Sequence, residues 1–328
     1  TYSDSTAGIA INLALTGAQN TGGAGTDTIS NFINITGSDF NDTVTGDGEA
    51  NGIIGGKGDD TINGGDGDDN LNGGGGTNRV TYSDSTAGIT INLALTGAQN
   101  TVGAGTDTIS NFINMTGSDL NDTLTGDSEA NGIIAGKGDD TINGGGGNDT
   151  ISGGEGDDII TAGGGEVTIN AGEDNDTLHG SNASEVLNGG DGDDIINSGG
   201  GGDRIQGGKH TDTINLNVTG EADTIIFKGG WGSVWVGDTV NNFEFGNDII
   251  DFNSNYARMD GSQTTSFNAG STINDDTAFI REGTNIASGA SASVAELTAN
   301  LNVGSFDDGD GGNADRIYVA WDDGSNTY

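Results

Sequence analysis

The sequence predicts an all-β fold, a parallel β-solenoid of short stacked coils followed by a mostly β cap, and three observations carry that prediction. A nine-residue frame, G-G-x-G-x-D-x-U-x with U a large aliphatic, recurs in register over long stretches. Apolar residues fall singly, one per frame, which suits a narrow column of core and not a broad one. Glycine supplies 64 of the 328 residues and proline none, as expected where the chain reverses every few residues through positive φ. Composition alone points elsewhere, because a net charge of −41 with 31% apolar residues leans towards disorder. The fixed spacing of the apolar positions is what a disordered tail lacks.

The frame runs without a slip from Gly37 to Thr81, as GSDFNDTVT, GDGEANGII, GGKGDDTIN, GGDGDDNLN and GGGGTNRVT. It restarts at Gly117 and holds to Asn215, and isolated units stand at 22–30 and 102–110. The eighth position reads Val44, Ile53, Ile62, Leu71 and Val80 in the first run, and Leu124, Ile133, Ile142, Ile151, Ile160, Ile169, Leu178, Leu187, Ile196, Ile205 and Ile214 in the second. In each unit x-U-x reads as a three-residue strand whose middle side chain points inward, and G-G-x-G-x-D as the turn. Two units close one coil, so the sixth positions of alternate units stack along one edge.

That stacking gives the acids their chemistry. Nine Lys and Arg against fifty Asp and Glu would repel nucleic acid at every phosphate, and no run of 18 apolar residues offers a membrane span. The absence of cysteine removes disulfides and thiolate metal sites. Bare carboxylates stacked at strand spacing repel one another, so a hard cation is the expected partner. An aspartate, the glycine carbonyls beside it and the matching loop of the next coil form an oxygen cage that suits calcium better than magnesium, which demands near-ideal octahedra and keeps its waters. The predicted ligands in the first run are Asp42, Asp60 and Asp69, with Gly56, Gly58, Gly65 and Gly67. In the second run they are Asp122, Asp140, Asp149, Asp158, Asp176, Asp194, Asp203 and Asp212, with Gly136, Gly138, Gly145, Gly147, Gly154, Gly156, Gly190 and Gly192. One edge of that run is unbroken aspartate; the other reads Asn131, Asp149, Val167, Glu185, Asp203 and should bind more weakly near Val167. Pairing units two apart predicts roughly a dozen calcium ions, which would cancel on the order of half the charge and make metal binding and folding one event.

With units such as GGKGDDTIN, GGDGDDNLN and GGEGDDIIT in frame, the chain resembles the RTX (repeats-in-toxin) calcium-binding proteins exported by Gram-negative type I secretion. The resemblance implies a right-handed parallel β-roll, export in an unfolded state from calcium-poor cytoplasm, and folding outside the cell. Units 126–134, 162–170 and 180–188 depart from the pattern by lacking the aspartate.

A longer period of 80 residues overlies the short one: TYSDSTAGIAINLALTGAQN at 1–20 returns as TYSDSTAGITINLALTGAQN at 81–100. The expected division is a linker coil with an isolated repeat at 1–36, a first β-roll run at 37–81, a second linker coil at 82–116, a second run at 117–215 and a cap at 216–328. Ile89, Ile91, Leu93 and Leu95 alternate as in a half-buried strand longer than those of the repeat. Thr1 matches Thr81, the last position of a unit, so further repeats are expected before it. Beyond 216 the large aromatics gather, among them Phe227, Trp231, Trp235, Phe243, Phe245, Phe252 and Trp321, as a cover for an open solenoid end. The segment TVNNFEFGNDIIDF at 239–252 resembles the element that follows the repeats in RTX proteins. Ser293 and Glu296 form a capping-box pattern that predicts one short helix near 294–301.

The expected function is a calcium-folded extracellular structural module of a large secreted or cell-surface protein such as an adhesin, surface layer or filament, which the 80-residue duplication favours. The alternative is the C-terminal export and folding module of a type I secreted toxin or hydrolase. A minor alternative, an ice-binding solenoid, would want an unbroken threonine ladder, whereas position seven of one edge reads Thr123, Thr141, Ile159, Thr177, Ile195, Thr213. No enzyme is expected, since His179 and His210 are the only histidines and no G-x-S-x-G, H-E-x-x-H or P-loop pattern occurs. Calcium is the expected partner, with self-association or a cell-surface or matrix partner left open.

Overall fold

In the computed structural model the described residues are 1–218, 220–228, 238–243, 247–253, 266–268 and 280–282. The chain divides into two compact units, Thr1–Gly164 and Gly165–Tyr328. The described residues of each form a parallel β-solenoid, and among them the only helical turn is the 3-10 turn Gly22–Ala24. The helix expected near 294–301 and the residues Trp231, Trp235, Phe245 and Trp321 lie outside the described residues.

Within the first unit, alternate nonapeptides feed opposite sheets. The first sheet stacks Ala10–Asn12, Thr43–Asp47, Thr61–Gly65, Arg79–Thr81, Asn114–Thr116, Gly132–Lys137 and Thr150–Glu155 in parallel. The second stacks Asn34–Thr36, Gly52–Lys57, Asn70–Gly75 and Thr106–Ser110. The third holds Thr90–Asn92, Thr123–Thr125, Thr141–Asn143 and Ile159–Thr161. Register follows the frame, with Val44 opposite Ile62, Ile53 opposite Leu71, and Leu124 opposite Ile142. The eighth-position side chains of the two runs are all buried, and each fully buried Val, Ile or Leu stabilises by about 1.5–3 kcal/mol.

The twenty residues inserted at 82–101 change the facing sheet while the first sheet runs on. Met115 pairs with Val80 on one side and Ile133 on the other. The second sheet ends at Thr106–Ser110, against which Ala98–Asn100 runs antiparallel, and the third begins with Thr90–Asn92. The strand expected to be longer than its neighbours is therefore three residues, like most others. Ile89 and Ile91 are buried, but Leu95 is exposed because the chain turns at Leu93 once Asn92 has accepted from Leu95 N.

In the second unit Thr168–Glu173, Val186–Asp191 and Arg204–Lys209 form one sheet, and Thr177–His179, Ile195–Asn197 and Thr213–Asn215 the other. The stacking continues past Asn215. Thr224–Lys228, Ile249–Asn253 and Ile280–Glu282 extend the first sheet, and Thr239–Asn241 and Ser266–Asn268 extend the second. The described part of the expected cap is thus more solenoid, with longer excursions between strands.

Candidate metal centre

Each strand is short, so its inward side chain is fixed by a single register, and the turn before it is fixed by glycine. The second and fourth glycines of the predicted set, Gly56 and Gly58 through Gly190 and Gly192, all lie at φ between 86° and 146°, a region that L side chains rarely adopt. Space points the same way: a Cβ on Gly56, Gly65 or Gly190 would overlap the carbonyl oxygen of Ser38, Asp47 or Gly172, one coil earlier. Backbone carbonyls therefore crowd the turn from one coil to the next.

The sixth-position aspartates sit at the foot of each strand, and all of the predicted ones are buried. One carboxylate oxygen has a fixed task, because Oδ1 accepts the backbone N–H of the sixth residue one coil earlier. Asp60 accepts from Asp42 N at 2.9 Å, Asp69 from Asn51 N at 2.8 Å, Asp140 from Asp122 N at 2.7 Å and Asp149 from Asn131 N at 2.8 Å. Asp158 accepts from Asp140 N at 2.8 Å. In the second unit Asp194 accepts from Asp176 N, Asp212 from Asp194 N and Asp203 from Glu185 N. These bonds satisfy the N–H that a three-residue strand would otherwise leave bare.

The other oxygen is the informative one. Oδ2 of Asp60, Asp69, Asp140, Asp149, Asp194 and Asp212 is buried without a hydrogen-bond partner, and a buried charge left unpaired costs on the order of several kcal/mol. Burial first, and then neighbouring carboxylates, push these acids up. Asp60 and Asp149 rise to about 6, Asp69 and Asp212 to about 7, and Asp140 and Asp194 to about 8. Asp203 is also raised, through burial and the adjacent Glu185. Among the described residues no lysine answers them: Lys57, Lys137 and Lys209 pair at the exposed surface with Asp39, Glu155 and Asp191, where such pairs contribute little.

Carbonyls converge on the same oxygens. The position that a Cβ would take on Gly55 is flanked by Asp60 Oδ2 and the carbonyl of Gly73; on Gly189, by Asp194 Oδ2 and the carbonyl of Gly207; on Gly144, by Asp149 Oδ2 and the carbonyl of Ala162. No cluster of three or more His, Cys, Asp or Glu side chains poised for a metal occurs among the described residues. A cation here would be held by one carboxylate per turn plus backbone oxygens, the hard, all-oxygen and flexible donor set that suits calcium. The residues fit the ion that the sequence implies.

Asp42 and Asp122 stand apart from the other predicted ligands. Asp42 takes Ile9 N and Ser38 Oγ on Oδ1, and Ser38 N at 2.6 Å on Oδ2. Asp122 repeats this with Ile89 N, Ser118 Oγ and Ser118 N. Both oxygens are engaged by the protein itself. Three aspartates that the nonapeptide frame does not reach extend the ladder: Asp223, Asp238 and Asp248 are buried, with Oδ1 accepting from Asp203 N, Asp212 N and Asp223 N. Each precedes a strand as DTI, DTV or DII. The signal was the tripeptide D-x-aliphatic without its glycines. His179 is exposed beside Asn197, and His210 sits at φ 75°; neither joins an acid cluster.

Four stretches of the chain, residues 49–80, 116–151, 152–184 and 188–217, match the family described as the RTX calcium-binding nonapeptide repeat. A search of curated proteins finds no match to the chain.

Proposed function

Because the chain carries RTX calcium-binding nonapeptide repeats folded as a parallel β-solenoid, we propose that it is a calcium-folded structural module of an extracellular or cell-surface protein, with no catalytic role. Calcium, when bound, supplies the positive charge that the buried carboxylate column lacks. The chain's own residues do the rest. Oδ1 of each aspartate ties one coil to the next, Oδ2 and the turn carbonyls present the cage, and the aliphatic column fills the interior. The observation that carries the proposal is the repetition of a partnerless, buried Oδ2 at Asp60, Asp69, Asp140, Asp149, Asp194 and Asp212. We place an ion at each pair of stacked turns whose aspartate leaves Oδ2 bare, fewer than the dozen that spacing alone predicts.

The 80-residue duplication favours an extension role, since the inserted coil at 82–101 changes the facing sheet without interrupting the first sheet. Stretching the tethered chain at millimolar calcium and then in chelator tests the structural reading. Discrete unfolding steps in calcium that vanish in chelator are expected. Identical curves in the two conditions would remove the structural role. Placing the chain behind a folded reporter in cells with a type I exporter supplies the second arm, and reporter accumulating outside would favour the export module instead.

A further inference from the structure

Position two of the nonapeptide divides the turns into two kinds. Where it is glycine at positive φ, as at Gly56, Gly65, Gly136, Gly145, Gly190 and Gly208, Oδ2 of the aspartate four residues on has no partner. Where it is Ser38, Asp47, Ser118 or Asp127, its own backbone N–H closes the turn on the sixth side chain, whereas Ser181 reaches Glu185 through its hydroxyl and leaves Oε2 without a partner. Ser118 N donates to Asp122 Oδ2 at 2.6 Å, and Asp127 N donates to Asn131 Oδ1 at 2.8 Å, while Asn131 Nδ2 donates to Ile113 O and to Asp127 Oδ1. Ser38 with Asp42 and Asp47 with Asn51 repeat both arrangements in the first copy. An amide nitrogen or a backbone N–H stands where the other turns present a bare oxygen.

The closed turns of the second copy are contiguous with a coil satisfied by other means. Asn78 accepts Asp60 N and donates to Asn111 O. Asp107, fully buried, takes Asp69 N on Oδ1, and the Tyr82 hydroxyl at 2.8 Å and Thr101 Oγ1 at 3.2 Å on Oδ2. Gln99 brackets Asn92 by both of its backbone groups, and Arg79 Nη1 binds Met115 O and Thr116 Oγ1. Charge agrees with geometry: residues 79–118 contain two acids, Asp84 and Asp107, and one base, Arg79. Val80, Tyr82, Ile89, Ile91, Ile109, Phe112 and Met115 are buried there.

We infer that residues 73–131 form a calcium-independent block between calcium-dependent stretches, and that Ser118 and Asp127 at position two set its far boundary. The block gives the flanking turns a preformed coil to stack on, so ordering spreads outward from it as calcium rises. This rests on the calcium reading above, and the test separates the two.

Hydrogen–deuterium exchange of the full chain, read by mass spectrometry in chelator and in millimolar calcium, decides it. In chelator, amides of 79–125 should exchange at least about tenfold more slowly than those of 52–72 and 132–155, whose opening is sub-global; calcium should protect all three. Uniform exchange in chelator followed by uniform protection in calcium would overturn the block and leave calcium folding intact. No change with calcium anywhere would overturn both. Tyr82→Phe strips Asp107 of a donor, and Ser118→Gly opens its turn; each should erase the slow exchange of 79–125 in chelator while leaving the calcium-bound pattern in place. Slow exchange persisting in both variants would overturn the inference.

Discussion

Asp140 has two oxygens with two tasks, and a substitution can separate them. Asparagine at this position would keep an acceptor for Asp122 N while putting an amide where Oδ2 has no partner. Asp140→Asn is therefore expected to raise the stability of the chelated protein by about 1–3 kcal/mol, the cost of an unsatisfied buried polar group, and to lower the stabilisation gained on adding calcium. Urea unfolding in chelator and in calcium reads both signs. Gly56→Ala puts a Cβ at φ 124° against the Ser38 carbonyl, so calcium-saturated stability should fall by about 1 kcal/mol or more. The raised acids also set a pH dependence. Asp60, Asp69, Asp140, Asp149, Asp194 and Asp212 titrate at about 6 to 8 in the fold, against about 3.9 for an unfolded aspartate. Their stability contribution is complete below the unfolded value and is lost as pH rises through 6 to 8. The chelated protein should gain β signal in circular dichroism as pH falls from 8 to 5. Calcium must find the carboxylates ionised, so its affinity should fall over the same range.

At the scale of the strand and turn, the aliphatic column was legible because one Val, Ile or Leu in nine residues admits one register, and Val44, Ile62, Leu124 and Ile142 pair as the frame requires. Truncating a member tests the column: Ile142→Ala should cost about 2–5 kcal/mol in calcium-saturated protein, as other buried aliphatics do. Less legible were the elements whose partners lie far along the chain. The alternation Ile89, Ile91, Leu93, Leu95 suggested a long strand, but Gln99 folds back onto Asn92, and the chain turns after three residues to start a new sheet. Which oxygen of which aspartate stays bare could not be read from the aspartates alone, because it depends on donors such as the Ser118 N–H and the Tyr82 hydroxyl. The identity of position two was in the sequence all along. Its meaning needed the turn geometry.

Over the molecule, a net charge of −41 and a one-residue-wide core oppose each other, and on the proposed reading calcium at the buried carboxylates tips the balance towards the fold. Stacking turned out to extend beyond the nonapeptide frame, since Asp223, Asp238 and Asp248 continue the ladder without the glycines that mark the runs. The central claim, that calcium supplies what the buried aspartates lack, is tested most directly by circular dichroism of chelator-stripped full chain at about pH 9, above the range of about 6 to 8 in which the raised acids titrate, during a calcium titration with magnesium in parallel. The account predicts a large cooperative rise of β signal with calcium, absent with magnesium, above the partial signal of the 73–131 block. A complete β spectrum before any metal is added, unchanged by calcium, would contradict it.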